Sequence, residues 1–188
     1  MNIWAIIPLV SFLTYAALVV VVLQQAKRRV ARVFALYLAA SGVWSFTSFI
    51  LHLNGFPQQT LLWNELLVAA LLWTAVSYYH FVRAYNNKPA GIVIYSGYAS
   101  VLALLAVSLS GLVVKYSYVV DGVLYHDLGF SLYVIGAVSF VFAFAAFWML
   151  VNRYRSSTDP TDRNRTMYLI IGLGTVIVVS YLCNLVPA

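Results

Sequence analysis

The sequence predicts an all-α polytopic membrane protein, a six-helix transmembrane bundle with a small outer β-hairpin between helices 4 and 5. Three observations predict it. Of 188 residues, 63% are hydrophobic and 9% charged, with a mean hydropathy of +0.90, a composition that excludes ordinary soluble domains. The apolar residues form six runs, about 3–23, 33–53, 60–82, 91–114, 130–151 and 166–186, each close to the roughly 20 residues a helix needs to cross a bilayer. The bases are also sorted. Lys27, Arg28, Arg29, Arg32, Arg83, Lys88, Arg153, Arg155, Arg163 and Arg165, ten of the eleven, follow the first, third and fifth runs. By the positive-inside rule the N-terminus faces outside, and six crossings leave Ala188 outside as well. Residues 1–188 then make a single transmembrane domain with no room for a separate soluble one.

The first run has neither a basic segment before it nor a small-residue cleavage site before Lys27-Arg28-Arg29, so it is a helix and not a signal peptide. The second places Tyr37, Ser41, Trp44, Ser45, Ser48 and His52 at mostly three- and four-residue spacings, a polar and aromatic face that should point into the bundle. An uncharged connection, 54–59, leads to the third run, with Asn64 and Glu65 near its outer end and Trp73, Thr74 and Ser77 at its middle or inner half. After the fourth run, Asp121-Gly122 between β-branched and aromatic residues is a strong hairpin signal. The fifth run is aromatic on several faces (Phe140, Phe142, Phe144, Phe147, Trp148), which suits lipid or a partner helix. The polar stretch from Ser156 to Asp162 has turn or N-cap character and is expected to be a plain cytoplasmic connection. In the sixth run, Gly172 and Gly174 offer close helix packing. Pro57, Pro89 and Pro160 lie between runs, and Pro8 and Pro187 near helix ends, so the helices should be unbroken.

Polar residues inside a bilayer are costly and mark helix contacts or cavities. Ser41, Trp44, Glu65, Trp73, Thr74 and Ser77 are the candidate ligand-binding residues, Trp44 and Trp73 coming to similar depth if the second and third helices are antiparallel neighbours. The alternative is that they are helix-packing glue. Glu65 is the only acid within any run. With His52, Asn64 and Asn184 near it in depth, it suggests a polar outer cluster; equally, it could be an interfacial glutamate reaching water from the start of a helix. Haem is disfavoured because His52 and His80 fall on opposite sides. Retinal is disfavoured because Lys27, Lys88 and Lys115 are all at surfaces. No metal motif, nucleophile and base pair or phosphate loop occurs, so no catalytic residue, metal or cofactor is expected, and nothing points to nucleic acid. The single Cys183 cannot form an internal disulfide.

Several stretches together resemble the N-terminal seven-helix sensory region of membrane histidine kinases. They are Trp44 in a small, aromatic second helix; Leu62-Trp63 opening the third, which closes on Tyr79-His80-Phe81-Val82-Arg83-Ala84-Tyr85; the Asp121-Gly122 loop; and Arg165 leading to Ile171-Gly172-Leu173 and Asn184-Leu185-Val186-Pro187. The resemblance spans nearly the whole chain. It implies a multi-pass receptor of the prokaryotic inner membrane that binds a small or lipophilic signal among its helices and relays it to a cytoplasmic output domain. A homodimer formed through that output region is also implied. Kinase chemistry would lie beyond Ala188, so the resemblance assigns no catalytic residue here. The departure is that a seventh helix is missing, and one more crossing would be needed to reach the cytoplasm. A small transport protein and an accessory subunit of a membrane complex are the alternative readings.

Overall fold

Hydropathy marks where a chain lies in a bilayer, whereas helix ends are set by backbone capping, and the two boundaries differ here. The computed structural model describes residues 3–24, 28–108, 113, 116–120, 123–127 and 129–185, with backbone alone for 3–4, 119–120, 123–124, 126–127, 129, 131–132 and 176–185. In chain order the elements are α1 (Ile3–Gln24), α2 (Arg29–Leu53), a short 3-10 turn (Pro57–Gln59), α3 (Thr60–Tyr85), α4 (Ile92–Ser108), β1 (Tyr116–Val120), β2 (Val123–Asp127), α5 (Gly129–Ser156) and α6 (Pro160–Leu185).

Each boundary has a local cause. Arg28 is extended before α2, and Asn54 ends that helix at φ 52, its N–H donating to the Leu51 carbonyl at 3.1 Å. Asparagine is one of the few residues that accept this left-handed conformation. At the start of α3 the Thr60 hydroxyl donates to the Pro57 carbonyl at 3.0 Å. α6 opens on Pro160, with Asp159 Oδ1 accepting the Thr161 N–H at 2.9 Å, the usual pairing of an acidic cap with proline in the first turn. The expected plain connection from Ser156 to Asp162 is therefore corrected: residues 157–159 connect the helices, and Asp162 is already helical. The run 91–114 is also longer than its helix, since Val113 lies in a bend.

Among the described residues, Ala5–Gln24, Arg29–Leu53, Pro57–Tyr85 and Tyr133–Ser156 are long and apolar enough to cross a membrane, and Ile92–Ser108 is apolar but shorter. α1 packs on α2, α2 on α3, and α6 on α5, while α3 also meets α4, α5 and β1. The ring pairs Phe34–Phe81 at 4.8 Å, Tyr37–Tyr78 at 5.0 Å and Phe46–Trp63 at 6.2 Å run antiparallel along α2 and α3. Val33, Phe81, Val82, Ile94, Ala146 and Leu150 make one apolar cluster, and Val68, Leu72, Val76, Val113 and Ile135 a second.

Among the described glycines the tightest packing is at Gly97 of α4, where a Cβ would stand 2.9 Å from Val76 Cγ1 and 3.0 Å from Phe142 Cζ. The packing expected at Gly172 and Gly174 is not found: nothing lies within 4 Å of a Cβ at either position among the described residues. β1 and β2 pair antiparallel, Tyr116 opposite Asp127 and Val120 opposite Val123, with the Tyr118 and Tyr125 rings stacked at 5.6 Å. The Asp121-Gly122 turn lies outside the described residues.

Candidate functional site

At one end of α3, Asn64 and Glu65 are each 1% exposed. Asn64 Nδ2 donates to Ser117 Oγ of β1 at 3.3 Å, and Glu65 Oε1 accepts the Val113 N–H at 3.2 Å. A buried backbone donor without a partner is costly, so this carboxylate satisfies a group that the segment before β1 would otherwise leave orphaned. The burial overturns the alternative in which Glu65 reaches water. His52 Nδ1 donates to the Ser48 carbonyl of its own helix at 2.8 Å. Asn184 lies in α6, but its side chain is outside the described residues.

At mid-height the ring register of α2 and α3 brings Trp44 and Trp73 within about two helical turns in depth. Ser41 and Ser45 are buried, but Trp44 is 40% exposed. That corrects the expectation that the whole polar face of α2 points inward: at about 100° per residue Trp44 sits on the edge of the Ser41–Ser45–Ser48–His52 stripe, and its bulk turns outward. Trp73 is half-buried, and neither indole pairs with another ring among the described residues. The hydroxyls nearby are satisfied within their helices: Ser41 donates to the Tyr37 carbonyl at 3.0 Å, Thr74 to Ala70 at 2.9 Å and Ser77 to Trp73 at 2.7 Å.

Among the described residues, a larger polar assembly lies at the opposite end of α3. Arg153 of α5 grips Asp162 of α6 with two bonds, Nε to Oδ2 at 3.0 Å and Nη2 to Oδ1 at 2.8 Å. Its third nitrogen, Nη1, donates to the Tyr85 carbonyl at 2.7 Å, and the guanidinium carbon stands 4.3 Å from the centre of the Tyr85 ring. The Tyr85 hydroxyl donates to Asp162 Oδ1 at 3.3 Å and lies 3.1 Å from the fully buried Thr166 Oγ1. One arginine thus caps the end of α3, stacks on its last ring and binds the first turn of α6, using the fork geometry that lysine lacks. The hydrogen bond from Arg153 holds the Asp162 carboxyl below its ordinary value, against the opposing effect of partial burial. A cavity of about 490 Å³ adjoins this assembly, lined by Asn86, Lys88, Asn152, Arg153 and Asp162 among others.

Sequence reasoning placed Tyr85 at the close of the third helix and explained Arg153 by topology, and missed their meeting. One signal was present: a base in the last turn of α5 and an acid in the first turn of α6, each favoured by its helix dipole.

The long apolar helices and this polar framework define a membrane protein of the helical-bundle class. Residues 7–188 match the family model described as the N-terminal 7TM region of histidine kinase. The chain belongs to that family. No curated protein and no solved structure matches it.

Proposed function

We propose that the chain is a sensory module that binds a small or lipophilic signal within its helices and relays it to a cytoplasmic signalling output domain. The observation that carries this reading is the span of α3. One end is bonded to the β1 segment through Asn64 and Glu65, and the other ends in the Tyr85–Arg153–Asp162–Thr166 assembly that joins α5 and α6. A helix bonded at both ends can couple them, provided that the signal binds one packing arrangement better than the other.

In this reading residues 1–188 form one domain of six crossings in the prokaryotic inner membrane. The N-terminus is outside, β1 and β2 form a hairpin cap on the outer face, and Tyr85 is on the cytoplasmic side. The signal engages Ser41, Trp44, Glu65, Trp73, Thr74 and Ser77, with Asn64, His52 and Asn184 near the outer end. Trp44, 40% exposed, gives a lipophilic signal a point of entry. Dimerisation occurs through the output region.

Signal-dependent output of the native protein in membranes tests the site. Trp44→Ala, Trp73→Ala and Glu65→Gln should shift the dose-response while expression stays normal. An unchanged response in all three would sink the proposed pocket. Cysteine labelling tests the sidedness: positions 88 and 155 should react only from the cytoplasmic side.

A further inference from the structure

A groove of about 770 Å³ opens between α1, α2, α3 and α6 at the end of the bundle where Tyr85 lies. Val22, Val30, Phe34 and Phe81 supply its apolar wall, and Arg28 and Arg165 stand on it from opposite ends of the chain. Both arginines are exposed, and among the described residues neither forms an ion pair with a carboxylate. The chain offers little to neutralise them. The sequence sets ten bases between the first and second, third and fourth, and fifth and sixth apolar runs, against two acids, Asp159 and Asp162. Asp162 is bound by Arg153, and Asp159 caps α6.

We propose that this groove holds an anionic phospholipid, its phosphate between Arg28 and Arg165 and the start of an acyl chain along Val22, Val30, Phe34 and Phe81. Charge complementarity argues for the occupant. Two guanidiniums can take a phosphate with paired hydrogen bonds. A free anion would leave the apolar wall wet, whereas an amphiphile covers it and brings its negative charge at headgroup depth. The site is independent of the signal pocket around Trp44 and Trp73, so it can fail while that reading stands.

The test uses the chain in nanodiscs of phosphatidylcholine, titrated with phosphatidylglycerol. Arg28→Ala and Arg165→Ala should each weaken phosphatidylglycerol binding about fivefold, while Arg155→Ala, exposed and outside the groove, should leave it unchanged. Equal loss in all three variants would mean a diffuse surface charge and overturn the proposal. So would displacement of the lipid by millimolar inorganic phosphate, which would identify a free-anion site. Should either groove variant fail to fold, the wild-type chain still decides. A photoactivatable phosphatidylglycerol should label peptides containing Val30–Phe34 and Phe81, and labelling confined to other peptides would overturn the proposal. Blocking of that labelling by a co-purifying polypeptide would do the same.

Discussion

Arg153 Nη1 donates to the main-chain carbonyl of Tyr85 at 2.7 Å while its guanidinium covers the same residue's ring at 4.3 Å. Tyr85 is the last residue of α3, where helical carbonyls lose their intrahelical partners. A single side chain from α5 therefore closes α3 electrostatically and packs on it, then reaches α6 through Asp162. Three helices share one residue.

Replacing Arg153 by methionine should keep most of the packing on Tyr85 but leave both the carbonyl and Asp162 without that donor. A loss of about 1–3 kcal/mol is expected, because hydrogen bonds to charged groups are the stronger ones and these are partly screened. Arg155→Ala, exposed in the same turn, should fall within about 0.5 kcal/mol of wild type. Thermal unfolding in mild detergent compares the two, and equal effects would show that the assembly adds nothing.

Asp162 makes part of this stability pH-dependent. Its folded-state value is depressed by Arg153, so the contribution is complete above the unfolded carboxylate value and disappears as pH falls through the folded one. The Asp162→Asn variant should be less stable than wild type at neutral pH, with the gap closing as pH falls through and below the ordinary carboxylate range. A melting-temperature difference that stays constant over that range would refute the linkage.

Gly97 and Gly172 make a matched pair. Alanine at 97 places a methyl 2.9 Å from Val76 and 3.0 Å from Phe142, forcing α4 away from α3 and α5 at about 1–3 kcal/mol. At 172, with open space around the Cβ position, alanine should be neutral or stabilising by up to about 1 kcal/mol through helix propensity. Unfolding of the two variants in one detergent gives the comparison, and a Gly172→Ala defect larger than that of Gly97→Ala would contradict the packing.

Glu65→Gln retains a carbonyl oxygen for the Val113 N–H, whereas Glu65→Leu removes it. Hydrogen exchange at Val113 should rise about fivefold or more in the leucine variant, given about 1–3 kcal/mol for an orphaned buried donor. It should change far less with glutamine. Equal exchange in both would show that the carboxylate does not hold this segment.

Much of the architecture was legible in the chain because burial in a bilayer is additive along the sequence. The runs at 3–23 and 60–82 foretell α1 and α3. Helix ends were less legible. α6 begins six residues before its apolar run because Asp159 as cap and Pro160 in the first turn favour a helix start whatever the local hydropathy. Of the candidate site, Asn64 and Glu65 were found because an acid and an amide inside an apolar run are conspicuous. Trp44 was assigned to the inward face because the stripe's spacing was visible but its width was not.

What the sequence determined by itself is a helical membrane protein of the histidine kinase N-terminal family with a strong charge asymmetry, since hydropathy and net charge are sums over neighbouring residues. What only the tertiary structure decided is who meets whom. Tyr85 and Arg153 are 68 positions apart, and Tyr85 and Asp162 are 77 apart. Their contact depends on how α3, α5 and α6 are rotated and staggered against one another. No local window contains that information, because a rotation of one helix by a single residue, about 100°, would carry Arg153 away from both partners while leaving every run, cap and charge count unchanged.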